Sequence, residues 1–114
     1  MSDCIFCKIG SKEIQAMHVY EEEDLMAFRD INPQAPVHVL IIPKKHISSL
    51  NDFEPGDMAL FAKMVAAGKH IAKQEKIAGS GYRLVLNTGA HGGQSVAHVH
   101  LHLLGGRQLG WPPG

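Results

Sequence analysis

The chain has 114 residues, long enough for one hydrophobic core and too short for two. Hydrophobic residues make up 45% and charged residues 19%, a globular composition that argues against a disordered chain. Lys and Arg number 11 and so do Asp and Glu, which removes the electrostatic case for a nucleic-acid or anionic-membrane partner.

No apolar run approaches the ~20 residues of a membrane helix. The N-terminus, MSDCIFCKIG, carries neither a basic n-region nor a long h-region. No secretion signal is expected, and the reducing cytoplasm is the expected compartment, with the nucleus compatible. The chain reads as a single domain over residues 1–114.

In chain order, Asp3 is a plausible N-cap for a short helix from Cys4 to Ile9, ended by Gly10 and buried through Ile5, Phe6 and Ile9. His18 to Glu21 reads as a strand, Glu22 to Asp24 as a polar turn, and Leu25 to Asp30 as the hairpin partner. Asn32 to Pro36 is a two-proline loop. His38 to Ile42, closed by Pro43, is a near-continuous apolar run and so a strand buried on both faces. Pro55 then opens the one long helix at N1, with Leu60, Phe61, Met64, Val65, Gly68, Ile71 and Ala72 on its apolar stripe. Lys69, Lys73 and Lys76 suit its C-terminal end, and Gly79-Ser80-Gly81 breaks it. Tyr82 to Leu86 and Ala97 to Leu104 read as strands, joined by a glycine-rich loop over Asn87 to Ser95. The order predicts an α+β domain around an antiparallel sheet.

Histidine is the compositional outlier: eight residues, five of them between His70 and His102. His98-Val99-His100-Leu101-His102-Leu103 alternates without a miss. In a strand, residues i, i+2 and i+4 share a face, ~6.6 Å apart. Three imidazoles would line one face, with Val99, Leu101 and Leu103 on the core side. Each buried imidazole needs polar partners, so three in register imply a task. Two readings stand at this point: metal ligands, or a nucleophile with acid–base partners. In the loop just before them, Gly92, Gly93, Gln94 and Ser95 offer backbone N–H groups for an anion nest, and Ser95 a hydroxyl, which suits phosphoryl chemistry.

The segment from Gly93 to Leu104 resembles the histidine-triad (HIT) signature, His-φ-His-φ-His-φ-φ with φ apolar. Phe28 to Pro36 and Ile42 to Ile47 look like the matching upstream blocks. The ending Gly105-Gly106-Arg107-Gln108 with Trp111-Pro112-Pro113-Gly114 resembles the Hint branch, the histidine-triad nucleotide-binding proteins. The resemblance implies a HIT-like fold: an antiparallel five-stranded sheet with one long and one short helix, dimerising into a ten-stranded sheet. It implies hydrolysis of purine nucleoside 5′-phosphoramidates through a covalent nucleotidyl-histidine, with AMP or GMP as bound product and no catalytic metal or organic cofactor.

Carried over by position, His100 is the nucleophile, oriented by the backbone carbonyl of His98. His102 and Ser95 sit at the phosphate with Gly93 and Gln94, Asn87 lies on the leaving-group side, and His38 completes the cluster behind the nucleophile. Asp30 matches the ribose-binding residue, with Ile31 against the nucleoside and Phe6, Phe28 and Ile9 at the base. Trp111 would reach the site of the partner in a homodimer. Read without the family, Asp30 is equally a loop cap, Trp111 a core plug for the tail, and Lys44 and Lys45 a solvated edge.

Cys4-x-x-Cys7 departs from the best-known animal Hint pattern and resembles the zinc-bearing HIT relatives, whose ligand set maps onto Cys4, Cys7, His46 and His98. A structural zinc is the expected cofactor; a redox pair or two buried cysteines are the alternatives. For the whole site, the rivals are a nucleotide-binding sensor module with incidental turnover, a dinucleoside polyphosphate hydrolase, and a metal hydrolase ligated by the triad histidines.

Overall fold

The computed structural model describes residues 3–114. Helix α1 spans Ile5–Gly10, followed by strands β1 (His18–Glu21), β2 (Leu25–Arg29) and β3 (Val37–Pro43). Helix α2 covers Met58–Gln74, and strands β4 (Tyr82–Val85) and β5 (Leu101–Gly105) complete the chain. The five strands form one antiparallel sheet in the order β1-β2-β3-β5-β4. This is the HIT-like α+β architecture expected above.

Alternation along the strands divides the side chains between two layers. Leu25, Ala27, Val39, Ile41, Leu101 and Leu103 face α2, which presents Met64, Ala67, Ile71 and Ala72 to them. Met26, Phe28, Leu40 and Ile42 face the other way, onto Phe6 and Ile9 of α1. Both faces of β2 and β3 are therefore covered, which is why these strands read as unbroken apolar runs. Gly68 lets α2 lie close to the sheet: a Cβ there would stand 3.2 Å from Leu84 and 3.3 Å from Ile41.

Several local expectations change. Cys4, not Asp3, caps α1, with its sulfur accepting from the Cys7 N–H. Pro55 opens a single 3-10 turn, Pro55–Asp57, and the α-helix proper begins at Met58. On α2, Val65 is exposed while Ala67 is buried. The helix ends before the glycines: Lys76 takes a left-handed φ of 62°, the Lys76 N–H bonds to Lys73 O, and the Ile77 N–H bonds to Ala72 O. That Schellman arrangement turns Ile77 into the core and costs less than leaving its side chain in water.

The largest change is at the histidine segment, where regular pairing begins only at Leu101. Continuing the β3–β5 register past Ile41↔Leu101 would set Val99 opposite Pro43, which has no N–H to donate. The Val99 N–H bonds instead to Ile47 O at 2.7 Å. The alternation survives the loss of the ladder: Val99, Leu101 and Leu103 stay buried on one side, and His98 and His100 are buried on the other. Among the described residues, no helix is long and apolar enough to cross a membrane.

Candidate active site

The hydrogen bonds around four imidazoles fix which nitrogen of each carries the proton. His98 Nε2–H donates to Pro43 O at 2.8 Å, leaving Nδ1 with a lone pair. His100 Nδ1–H donates to His98 O at 2.7 Å, leaving Nε2 with a lone pair. The Gln34 N–H donates to His38 Nδ1 at 3.0 Å, so His38 holds its proton on Nε2 and gives it to His102 Nδ1 at 2.9 Å. His102 is then a donor through Nε2, an atom that is buried and has no hydrogen-bond partner among the described residues.

Burial disfavours the charged form of His38, His98 and His102. It lowers the pKa of His38, with the Asp30 carboxylate partly opposing, and it lowers that of His98. Burial, then the neighbouring His100 and His38, lower His102 to about 4.

A cavity of 370 Å³ opens beside this cluster on the α1 face of the sheet. Phe6, Ile9 and Phe28 line it, and Leu40 and Val96 extend the apolar wall. Ser95, Asp30, Ile31, His100 and His102 line it too, the last two with ring centroids 5.0 Å apart. Phe6 packs edge-on against His100, ring centroids 5.1 Å apart, so α1 touches both the cavity and the triad. Ile31 is 98% exposed and forms only a rim. A larger hollow of 620 Å³, between the end of α2 and the tail, is lined by no imidazole, carboxylate or thiol.

Asp30 caps its own loop and also approaches the imidazole cluster. Its Oδ1 accepts from the Asn32 N–H at 2.8 Å, a loop cap, while Oδ2 lies 3.5 Å from His38 Nε2. Asn87, Gly93, Gln94 and Trp111 do not line the cavity in the single chain. Trp111 is 83% exposed, which rules out a core plug. Lys44 and Lys45 pair with Glu21 and Asp57.

The glycine-rich loop is more self-contained than an open anion nest. The Gly93 and Gln94 N–H groups bond to Ala90 O and Gly89 O within the loop. The Gln94 side chain accepts from the Gly89 N–H and donates to Ser48 O and Val96 O, which buttresses the loop. Gly92 is obligatory for close approach: a Cβ there would stand 2.4 Å from Thr88 O.

On the far side of His98, Cys4, Cys7, His46 and His98 bring four ligand atoms within 4.8 Å of one another. His98 Nδ1 lies 3.3 Å from Cys4 Sγ and 3.5 Å from Cys7 Sγ, and His46 Nδ1 lies 3.2 Å from Cys7 Sγ. Tetrahedral zinc would put sulfur and nitrogen about 3.6 Å apart. The set fits, and the His98 tautomer already turns a lone pair toward the sulfurs. A second group, Asp30, His38 and His102, is equally compact. It does not fit a metal, because the proton that Gln34 places on His38 Nε2 occupies the coordinating position. Among the described residues, the three triad histidines converge on no common point, which removes the triad-ligated metal hydrolase.

The HIT domain family model matches residues 11–109. The chain belongs to the HIT family. An uncharacterised HIT-like protein of Synechococcus elongatus is 52% identical over 98% of this chain and 97% of its own length. A 14 kDa zinc-binding protein of Zea mays is 50% identical over 99% of this chain and 89% of its own length. The crystal structure of a HIT family hydrolase from Legionella pneumophila superposes with a TM-score of 0.96 at 54% identity, covering 98% of this chain and all of that one.

In this HIT chain the alternating pattern reached His98, His100 and His102, and the family resemblance reached His38 and, in the cavity lining, Phe6, Ile9, Phe28, Asp30 and Ile31; other lining residues were missed. Leu40 was within reach, since it shares a strand face with His38 at i+2. Ile5, expected on the buried stripe of α1, is instead exposed at the cavity, while Ile14, Gln15 and Val96 come from loops with no periodic signal.

Proposed function

We propose that this HIT protein hydrolyses purine nucleoside 5′-phosphoramidates as a Hint-type enzyme acting through one HIT domain. The observation that carries this reading is the opposed tautomers of His100 and His102: a lone pair on one Nε2 and a proton on the other, on two residues that line one apolar cavity.

In this mechanism, His100 Nε2 attacks phosphorus and the P–N bond breaks as the N–P bond to the imidazole forms. The Nδ1–H to His98 O contact holds the ring in line and stabilises the positive charge it gains. His102 Nε2–H faces the charge that builds on the phosphoryl group, and Ser95 offers a hydroxyl beside it. The departing amine takes up a proton, relayed by this imidazole or hydroxyl. Water then attacks phosphorus, the bond to His100 breaks, and the nucleoside monophosphate leaves. In this reading Asp30 holds the ribose hydroxyls, and Phe6, Ile9 and Phe28 pack on the base. Asn87, Gly93 and Gln94 belong to the phosphate-side loop.

Cys4, Cys7, His46 and His98 would hold a structural zinc, which supplies a cross-link between α1 and the histidine segment rather than reaction chemistry. A homodimer is part of the proposal: β4 is an open sheet edge, and Met58 and Val65 of α2 and Trp111 of the tail are exposed. The dimer would bring Trp111 to the partner's cavity.

The test is single-turnover hydrolysis of adenosine 5′-phosphoramidate by wild type and His100→Ala, with acid quench and mass spectrometry for a nucleotidylated peptide. Turnover and adduct in wild type, both lost in the variant while AMP still binds, is the expected result. AMP binding with no turnover by wild type would leave a sensor module instead. Faster hydrolysis of a dinucleoside polyphosphate would move the chain to that branch.

A further inference from the structure

The cavity lining holds one polar side chain left to read the edge of a base. Among the polar residues of the lining, Ser95, His100 and His102 serve the phosphate in the proposed mechanism and Asp30 is bonded to its own loop. The Arg29 guanidinium is turned away by a two-point bond to Glu75, both contacts 2.9 Å. That leaves Gln15, which lines the cavity between Ile14 and Ala16, is exposed, and makes no hydrogen bond among the described residues.

Its backbone is anchored relative to the apolar wall. The Glu13 and Ile14 N–H groups both bond to Lys8 O, at 2.8 and 3.2 Å, tying this segment to the end of α1. The His18 N–H bonds to Ala16 O at 3.0 Å and fixes the other side. The backbone from which the amide extends is thus tied to α1, while Phe6, Ile9, Phe28, Leu40 and Val96 offer the base only apolar contact.

Resting on the phosphoramidase reading, we propose that Gln15 is the specificity-determining residue for the base and recognises a purine carrying a polar group at C6. With adenine, the amide oxygen accepts from N6–H while the amide N–H donates to a ring nitrogen. With guanine, the amide rotates so that its N–H donates to O6 and its oxygen accepts from N1–H. Gln15 therefore accepts both bases and rejects a purine with only hydrogen at C6. A carboxylate in its place can only accept; guanine offers it N1–H and N2–H, whereas adenine turns the N1 lone pair toward it.

The test measures Kd by calorimetry for AMP, GMP and purine riboside 5′-monophosphate with wild type, Gln15→Met and Gln15→Glu, alongside kcat and KM for adenosine phosphoramidate. Wild type should prefer AMP and GMP over the unsubstituted nucleotide by about ten-fold, the scale of one good base-edge pair. Gln15→Met should abolish that gap, and Gln15→Glu should favour GMP over AMP by a similar factor. The changes belong in KM, with kcat retained. Base ratios that are flat in wild type, or unmoved by both variants, overturn the role of Gln15 while turnover keeps the enzyme reading intact. A wild type that binds none of the three nucleotides overturns both.

Discussion

Lowering the pH from 7.5 to 5.0 perturbs the buried imidazole chain with a sign that the structure dictates. His102 binds its proton near 6.5 in the unfolded chain and at about 4 in the folded one. Between those values the unfolded state holds more protons, so stability falls as pH falls. The loss reaches about 3 kcal/mol below both pKa values, and about 2 kcal/mol is already lost at pH 5.0. Almost none is lost at pH 7.5. His38 and His98 shift the same way, so the His102 contribution is taken as a difference between wild type and His102→Asn. The paired carboxylates Glu21, Asp24 and Asp57 have lowered pKa values, and their stabilisation is lost at more acid pH, outside this window. Urea unfolding of both proteins at both pH values gives the difference, and the imidazole resonances of His102 give its pKa directly by NMR. Equal pH dependence of the two proteins, or a His102 pKa near 6.5, would refute the picture of a desolvated neutral donor.

Three further outcomes are expected. His38→Phe keeps the ring volume but strands His102 Nδ1 and the Gln34 N–H; phosphoramidate turnover should fall about 10²-fold and stability by about 2 kcal/mol, with His38→Gln recovering part of the rate because its amide can still donate. An unchanged rate in His38→Phe would separate the relay from catalysis. Metal analysis should find one zinc per chain, and chelation should lower both Tm and AMP affinity, because α1 carries Phe6 and Ile9 into the cavity; a metal-free protein with undiminished AMP affinity argues against this link. Gly92→Ala should displace the loop, since its Cβ meets Thr88 O at 2.4 Å, and a thermal shift assay should record destabilisation; an unchanged Tm would mean the loop yields freely.

Periodicity alone determined much of this protein. The 3.6-residue spacing located α2, the hairpin pattern located β2, the apolar run located β3, and the His-φ-His-φ-His alternation placed the imidazoles opposite Val99, Leu101 and Leu103. These are local properties, written in neighbouring residues. What only the tertiary structure decided are contacts across the chain. The absent N–H of Pro43 ends the ladder before His98, and that carbonyl in turn orients the His98 ring from 55 positions away. The Gln34 N–H sets the His38 tautomer and through it that of His102, a consequence of loop closure that no pattern encodes. Cys4 and Cys7 stand close in sequence, yet only the packing of α1 on the sheet brings them to His46 and His98. Composition announced a surplus of histidine; the direction of each ring nitrogen depended on which backbone groups the fold left available to it.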